Sequence, residues 1–257
     1  MTVTSPLLIT GGTGTLGRLV VPRLLDAGCK VRVLSRTSHE SGDGIEYVTG
    51  DLLKGEGIEP AVDGAEIILH LAGGPGAKGD EEATQNLERA ASQAGVQHLV
   101  DISVIGAERV PLGYFRNKLG AERAVADSGL PWTTLRAAQF HDLVLTVVEK
   151  MAKLPVVPIP GGLRFQPVDS GEVAARLVEL TLGEPAGLVP DLAGPKVYGM
   201  ADLIRGYLRA RGKRRLMMPV RMPGKAGRAY RAGENLSLEG TAVGKRTWED
   251  FLAERLR

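Results

Sequence analysis

The amino-acid sequence predicts an α/β fold, in which a doubly wound parallel sheet is followed by a smaller C-terminal lobe. Over the first 140 residues, short apolar runs alternate with helical patterns, which is the order expected of successive βαβ units. Several of the apolar runs are nearly continuous, as in strands that are buried on both faces of a parallel sheet. Three helix candidates each end at a glycine, the usual left-handed stop of a helix.

The elements of the main domain follow from this alternation. Apolar runs predict strands at residues 7–10, 31–34, 46–48, 67–71, 99–103 and 132–135. Helical patterns predict helices at residues 16–27, 81–94 and 114–127, which end before Gly28, Gly95 and Gly129. We therefore expect a main domain over residues 1–153.

The pattern changes after Leu154. The segment "LPVVPIPGG" contains three prolines and two glycines, so it cannot form a regular helix. Helical patterns return at residues 170–182 and 200–211, and a final helix is expected from about Thr247. We expect residues 154–257 to form a smaller lobe that partly returns to the main sheet.

Composition limits the classes of function. The chain is 43 % hydrophobic and 24 % charged, with a net charge of +2, so no overall field favours nucleic acid. Ten Lys and Arg but no acid lie between Arg205 and Arg231, where we expect a solvated face rather than a site for an anionic ligand, a membrane or nucleic acid. A single cysteine, no signal peptide and no membrane span predict a cytoplasmic protein without a membrane partner, as a monomer or homodimer.

The segment "ITGGTGTLG" carries the first candidate site, because Gly11, Gly14 and Gly17 stand between the first strand and the first helix. A backbone without side chains can turn sharply and approach a pyrophosphate, which the helix N-terminus then attracts. Strand, loop, helix and second strand follow within 30 residues, so we predict a Rossmann-type dinucleotide site. We expect cofactor contacts from Gly11, Thr13, Gly14, Thr15, Leu16, Ser35, Arg36, Asp51, Leu52, Ala72 and Gly73.

The end of the second strand indicates which dinucleotide binds. Enzymes that prefer NAD usually place Asp or Glu there, whereas this chain has Ser35 and Arg36. A guanidinium suits a 2′-phosphate, so NADP is favoured and NAD stays possible; the alternative is an ordinary surface arginine. Asp51 could accept from the adenine amine or cap a helix, and both interpretations stay open.

Together these residues resemble the short-chain dehydrogenase/reductase superfamily, in its extended, atypical NmrA-like branch. The resemblance rests on the segments "TGGTGTLG", "GDLL", "HLAGG", "AGVQHLVDIS", "YFRNK" and "FQPVDSGEVA", and it covers most of residues 5–182. The sequence "LRAAQFHD" departs from the "LRP" of many extended members. This departure leaves the loop on the substrate side unassigned.

The resemblance implies that Tyr114 and Lys118 of "YFRNK" are catalytic, one helical turn apart. When a hydride reaches a carbonyl carbon, the oxygen needs a proton, which a tyrosine can give if an ammonium stabilises its phenolate. Ser103 would polarise the same oxygen. The C-terminal lobe, together with His141, would close over the small-molecule substrate. Asn86 matches the relay asparagine of the family only weakly, and no residues have the spacing of metal ligands.

Three functions remain open at this stage. An NADP(H)-dependent reductase of a small organic carbonyl or quinone is favoured, because the tyrosine and the lysine are both present. A non-catalytic NAD(P)-binding redox sensor or regulator of the NmrA-like kind is the main alternative. An epimerase or dehydratase of the type that acts on nucleotide sugars would keep the cofactor without net redox change.

Overall fold

The computed structural model describes residues 5–73, 79–238 and 241–256. Its helices are α1 (Gly17–Asp26), α2 (Ile58–Val62), α3 (Asp80–Ala94), α4 (Gly113–Asp127), α5 (His141–Met151), α6 (Ser170–Leu182), α7 (Met200–Ala210), α8 (Gly224–Ala232) and α9 (Trp248–Arg255). Its strands are β1 (Leu7–Thr10), β2 (Val31–Ser35), β3 (Ile45–Thr49), β4 (Ile67–His70), β5 (His98–Val104), β6 (Trp132–Ala137), β7 (Val156–Pro160), β8 (Arg164–Phe165), β9 (Gly187–Leu188), β10 (Leu192–Ala193), β11 (Tyr198–Gly199), β12 (Leu216–Val220) and β13 (Ala242–Val243).

The chain divides into two compact units, neither of which is continuous in sequence. The first unit comprises Met1–Ser103, Gly113–Leu135 and Val173–Val189. The second unit comprises Val104–Leu112, Arg136–Glu172 and Pro190–Arg257.

A parallel sheet forms the centre of the first unit. Its strand order is β6-β5-β4-β1-β2-β3, and β9 also pairs with β6. The order reverses beside β1, which is the position where doubly wound sheets bind ligands. A core of fully buried side chains such as Leu8, Ile68 and Leu99 lies under α2 and α3. The predicted α/β fold with a doubly wound parallel sheet is therefore confirmed.

The strand register places three polar residues in one row at the carboxyl ends of the strands. Thr10 of β1 is level with His70 of β4, and His70 is level with Asp101 of β5. All three side chains are at most 3 % exposed. The residues that precede them in the three strands, Ile9, Leu69 and Val100, are apolar. The row therefore places buried polar side chains at the edge of the sheet where the glycine loop begins.

The second unit has its own apolar core and several short strands. Strands β7 and β12 pair in parallel, β8 and β11 pair antiparallel, and β10 pairs with β13. Trp248, Leu203 and Val148 are fully buried in the core, which draws on α5, α7 and α9. The Thr247 hydroxyl caps α9 by accepting a hydrogen bond from the Asp250 amide, and the Asp250 carboxylate accepts one from the Thr247 amide.

Candidate functional site

The glycine loop closes tightly against the sheet. Gly11 has φ +69°, and a Cβ atom there would lie 2.7 Å from the Leu71 carbonyl carbon and oxygen. A Cβ atom on Gly17 would lie 2.3 Å from the Gly12 carbonyl oxygen. Gly14 donates its amide to the Gly11 carbonyl at 3.0 Å and accepts from the Arg18 amide. The first and last glycines are thus required for close packing. The loop between them leads into the N-terminus of α1.

The loop forms one wall of an open cleft in the first unit. The cleft has a volume of about 750 Å³, within the range of pockets that hold small molecules and cofactors. Nine of the eleven predicted cofactor residues line it: Gly11, Thr13, Gly14, Ser35, Arg36, Asp51, Leu52, Ala72 and Gly73. Thr15 and Leu16 are not among its lining residues. A cleft walled by glycines, in which added Cβ atoms would strike backbone, fits the pyrophosphate of a dinucleotide.

At the end of β2, the Arg36 side chain is exposed at the cleft. The neighbouring Ser35 hydroxyl is within 3.3 Å of the Thr37 amide and 3.2 Å of the His39 ring, so it holds the turn in place. The guanidinium of Arg36 has no hydrogen bond or ion pair within the described parts of the chain. This guanidinium is therefore available to bind an anion at the end of β2.

The Asp51 carboxylate shapes the loop on the other side of the cleft. Its Oδ1 accepts from the Leu53 amide at 3.0 Å and from the Lys54 amide at 3.4 Å. Asp51 therefore caps a turn, and it does not cap a helix, since α2 begins seven residues later. Asn86 donates to the Leu52 carbonyl at 2.9 Å, which anchors the same loop. The structure thus gives Asn86 a role in the cleft wall that the sequence did not suggest.

A chain of hydrogen bonds connects the sheet row to the start of α3. The Thr10 hydroxyl accepts from the Ala72 amide at 3.2 Å and bonds His70 Nδ1 at 2.7 Å. His70 Nε2 bonds Thr84 at 3.1 Å, and Thr84 donates to the Asp80 carbonyl at 2.7 Å. Burial, together with the nearby Lys118 ammonium, lowers the pKa of His70 to about 3. The pattern assigns the proton of this neutral ring to Nε2.

The three predicted catalytic residues all belong to the first unit. Ser103 lies near the end of β5, is 4 % exposed, and its hydroxyl has no hydrogen-bond partner among the described residues. Lys118 is 5 % exposed and donates from Nζ to the Ile102 carbonyl at 3.2 Å. Tyr114 is half-buried one turn earlier in α4, with its ring edge-on to Phe115. The lysine thus reaches the main chain beside the serine.

Lys118 also has a carboxylate neighbour that the sequence did not suggest. Asp80 Oδ2 lies 3.9 Å from Lys118 Nζ, and Asp80 lines the cleft. Gly73 makes room for the pair, because a Cβ atom there would lie 2.8 Å from Asp80 Oδ2 and 3.1 Å from Lys118 Nζ. Burial raises the pKa of Asp80, and the ammonium opposes this effect. An acidic residue in the first turn of α3 was the signal available in the sequence.

Further buried carboxyl groups lie behind this pair. Burial raises the pKa of Asp101 to about 7, against the attraction of Lys118 and with the repulsion of Glu122. Burial also raises the pKa of Glu88 to about 8, and Asp101 and Asp127 add to this by repulsion. Lys118 therefore lies beside a group of buried acids, Asp80, Asp101 and Glu88, whose pKa values are all raised.

His141 does not lie where we expected. Its side chain is fully buried in the second unit, 5.2 Å from Phe251 and 5.8 Å from Trp248 between ring centroids. Burial lowers its pKa to about 4, while the nearby Asp169 opposes this effect. The prediction that His141 faces the substrate is wrong. The histidine belongs to the buried, apolar side of α5, and its ring therefore packs against the aromatic side chains of α9.

No group of three or more His, Cys, Asp and Glu among the described residues is placed to hold a metal ion. None of the helices described has both the length and the apolar character needed to cross a membrane.

The fold and the glycine-walled cleft define a Rossmann-type dinucleotide-binding protein. The chain belongs to the NAD(P)H-binding family, whose model matches residues 11–156. This confirms the expected NAD(P)-type cofactor and the resemblance to the NmrA-like branch, and it assigns the chain to a family of oxidoreductase type.

Two relatives that carry functional names are similar in sequence. A (4-alkanoyl-5-oxo-2,5-dihydrofuran-3-yl)methyl phosphate reductase from Streptomyces griseus is 33 % identical over 183 residues, which are 69 % of this chain and 63 % of the relative. A photosystem II assembly factor from Trieres chinensis is 28 % identical over 214 residues, 77 % of this chain and 66 % of the relative. The chain thus spans less than two thirds of the length of each.

A solved structure shares the fold over nearly the full length. An NADPH-dependent quinone oxidoreductase from Escherichia coli, crystallised with NADPH, superposes with a TM-score of 0.84 at 19 % identity. The superposition covers 98 % of this chain and 100 % of the other. At this level of identity, the likeness describes the fold alone.

Proposed function

We propose that this protein is an NADPH-dependent reductase that delivers a hydride to a small quinone or other organic carbonyl compound. The observation that carries the proposal is the Ser103 hydroxyl, which is buried without a partner in the described residues, one position after the Ile102 carbonyl that accepts from Lys118. A buried hydroxyl without a partner costs free energy, so a ligand oxygen that completes its hydrogen bonding would be bound well. The relatives named as reductases support the same chemistry.

Each residue has one role in the proposed reaction. When bound, the reduced nicotinamide supplies a hydride to the carbonyl carbon. Tyr114 gives its phenolic proton to the carbonyl oxygen as charge develops there, and Ser103 donates a hydrogen bond to the same oxygen. Lys118 stabilises the phenolate that remains, so one hydride and one proton together convert the carbonyl to an alcohol. With a quinone, the alcohol first formed becomes the hydroquinone by tautomerisation, in which the carbon loses a proton and the second oxygen gains one. Arg36 would hold the 2′-phosphate of the cofactor.

A non-catalytic, nucleotide-binding regulator is the second candidate. One observation favours it: the Lys118 ammonium is already engaged by the Ile102 carbonyl and lies close to Asp80. A lysine held in this way could serve to bind the cofactor ribose without assisting a tyrosine. The relative named as an assembly factor shows that similar chains occur outside the reductases.

Turnover of a panel of quinones, aldehydes and ketones with NADPH separates the two candidates. Tyr114→Phe should lower kcat at least about 100-fold, the usual contribution of a positioned acid, and should leave NADPH binding unchanged. Tyr207→Phe is a matched control, because Tyr207 is buried in the core of the second unit. Binding of NADPH without turnover of any acceptor, or full activity in Tyr114→Phe, would reject the proposed mechanism.

A further inference from the structure

The two-stranded sheet of the second unit exposes one apolar face. Strands β7 and β12 are paired so that Leu216 is level with Val156 and Met218 is level with Pro158. Val157 and Ile159 of β7 point into the core, whereas Leu216 is 69 % exposed, Met218 51 % and Val156 38 %. We call the outward row the apolar sheet face; it comprises Val156, Pro158, Pro160, Leu216, Met218 and Val220.

Exposed cations flank this face at the ends of its strands. Lys213 and Arg214 precede β12, Arg221 follows it, and Lys153 precedes β7. None of these four side chains has an ion pair or hydrogen bond in the described parts of the chain. The basic stretch singled out in the sequence thus contains a row of exposed apolar side chains as well as exposed cations.

The geometry points to a peripheral membrane-docking surface, in which the apolar sheet face inserts at an anionic bilayer and the flanking cations meet lipid phosphates. Contiguous exposed apolar side chains with a polar rim are typical of interaction sites. An anionic bilayer supplies both partners at once, acyl chains for the apolar row and phosphates for the cations. The expectation of no membrane partner rested on the lack of a spanning segment, which does not test surface docking.

A second copy of this chain fits the surface less well. In a symmetric dimer through this face, the same patch would meet itself, so the cations at the strand ends of one copy would approach those of the other. No carboxylate occurs between Arg205 and Arg231 to compensate these charges. An anionic bilayer faces no such repulsion, and its attraction should be weakened by salt because the cations are exposed.

Co-sedimentation of the full chain with vesicles tests the inference. The protein should bind vesicles of phosphatidylglycerol and phosphatidylcholine, bind phosphatidylcholine alone much more weakly, and leave the anionic vesicles at high salt. Neutralising three cations, Lys213→Gln, Arg214→Gln and Arg221→Gln, should weaken binding roughly 100-fold, since each is worth about 1 kcal/mol near an anionic surface. Leu216→Ser with Met218→Ser should weaken it roughly ten-fold or more.

Matched variants in the first unit control for charge and for exposed apolar area. Lys30→Gln, Arg89→Gln and Arg123→Gln remove three exposed cations, and Leu188→Ser removes an apolar side chain that is 51 % exposed. These controls should bind anionic vesicles like the parent, and thermal melts should match for all variants. Failure of the parent to bind, or equal losses in the controls, would overturn the inference. So would dissociation of a dimer by Leu216→Ser and Met218→Ser in ultracentrifugation, which would identify the face as an interface between copies.

Discussion

Lys118 Nζ lies 3.9 Å from Asp80 Oδ2, and the two side chains are only 6 % and 7 % exposed. A charge pair this deeply buried is stabilising only relative to either charge alone, because both have lost their hydration. The pair occupies the space beside Gly73, at the wall of the cofactor cleft. Asp80 therefore sets the electrostatic environment of the lysine that we assign to the reaction.

Removal of the lysine should destabilise the fold through the carboxylate that remains. We expect Lys118→Met to lower the free energy of unfolding by about 3 kcal/mol at pH 8, since an unpaired buried charge is costly. The loss should be smaller at pH 5, where Asp80 is protonated more readily. Addition of Asp80→Asn should restore much of the stability, as measured by urea unfolding in a double-mutant cycle. Purely additive effects of the two substitutions would argue against the pair.

Because of two buried acids, Asp101 and Glu88, we expect the free energy of unfolding to fall as the pH rises. The pKa of Asp101 is raised to about 7 and that of Glu88 to about 8, mainly by burial. Acids with a raised pKa in the folded state bind more protons there than in the unfolded chain. Their stabilisation is therefore complete below about pH 4 and is lost progressively up to about pH 8.

Urea unfolding between pH 5 and 9 measures this slope. The free energy of unfolding should fall by a few kcal/mol in total over this range. Asp101→Asn should flatten the slope, because an amide has no proton to lose in this range. Glu59→Gln, at an exposed carboxylate of α2, is the control and should leave the slope unchanged. Stability that stays constant or increases from pH 6 to pH 9 would contradict the assignment.

The sequence predicted the sheet of the first unit well, because the pattern of buried parallel strands is local. All six predicted strands are present, and the three helices end before Gly28, Gly95 and Gly129 as expected. Helices α2, α5 and α8 were not predicted. The last of these follows Pro223 in the basic stretch, where glycines and cations obscure the short apolar side that packs inward.

The cofactor cleft was also predictable, because the glycine loop and the strand ends follow each other at fixed spacing. Asp80 was not, because its importance depends on α3 packing against α4, which brings it beside a lysine 38 positions away. His141 was assigned wrongly for the same reason. Its environment is created by Trp248 and Phe251, more than 100 residues later in the chain.

Ser103→Ala should separate catalysis from stability. The Ser103 hydroxyl is buried without a partner in the described residues, so its removal should leave the melting temperature unchanged or raise it. The same change should lower kcat roughly 10- to 1000-fold if the hydroxyl polarises the substrate oxygen. Ser128→Ala is the contrasting variant, because its hydroxyl donates to the Val125 carbonyl and accepts from the Leu130 amide. We expect that variant to be less stable but fully active per folded molecule.

Arg36→Gln should change the choice of cofactor. The Arg36 guanidinium lies at the cleft without a protein partner in the described ranges, and a charged hydrogen bond to a 2′-phosphate is worth about 1.5–3 kcal/mol. Titration with both nucleotides should show NADPH affinity reduced roughly 10- to 150-fold, with NADH affinity nearly unchanged. Arg23→Gln, on the exposed side of α1, should alter neither, because its guanidinium bonds the Leu19 carbonyl. Equal losses for NADPH and NADH in Arg36→Gln would instead assign the arginine to the adenine, which both cofactors share.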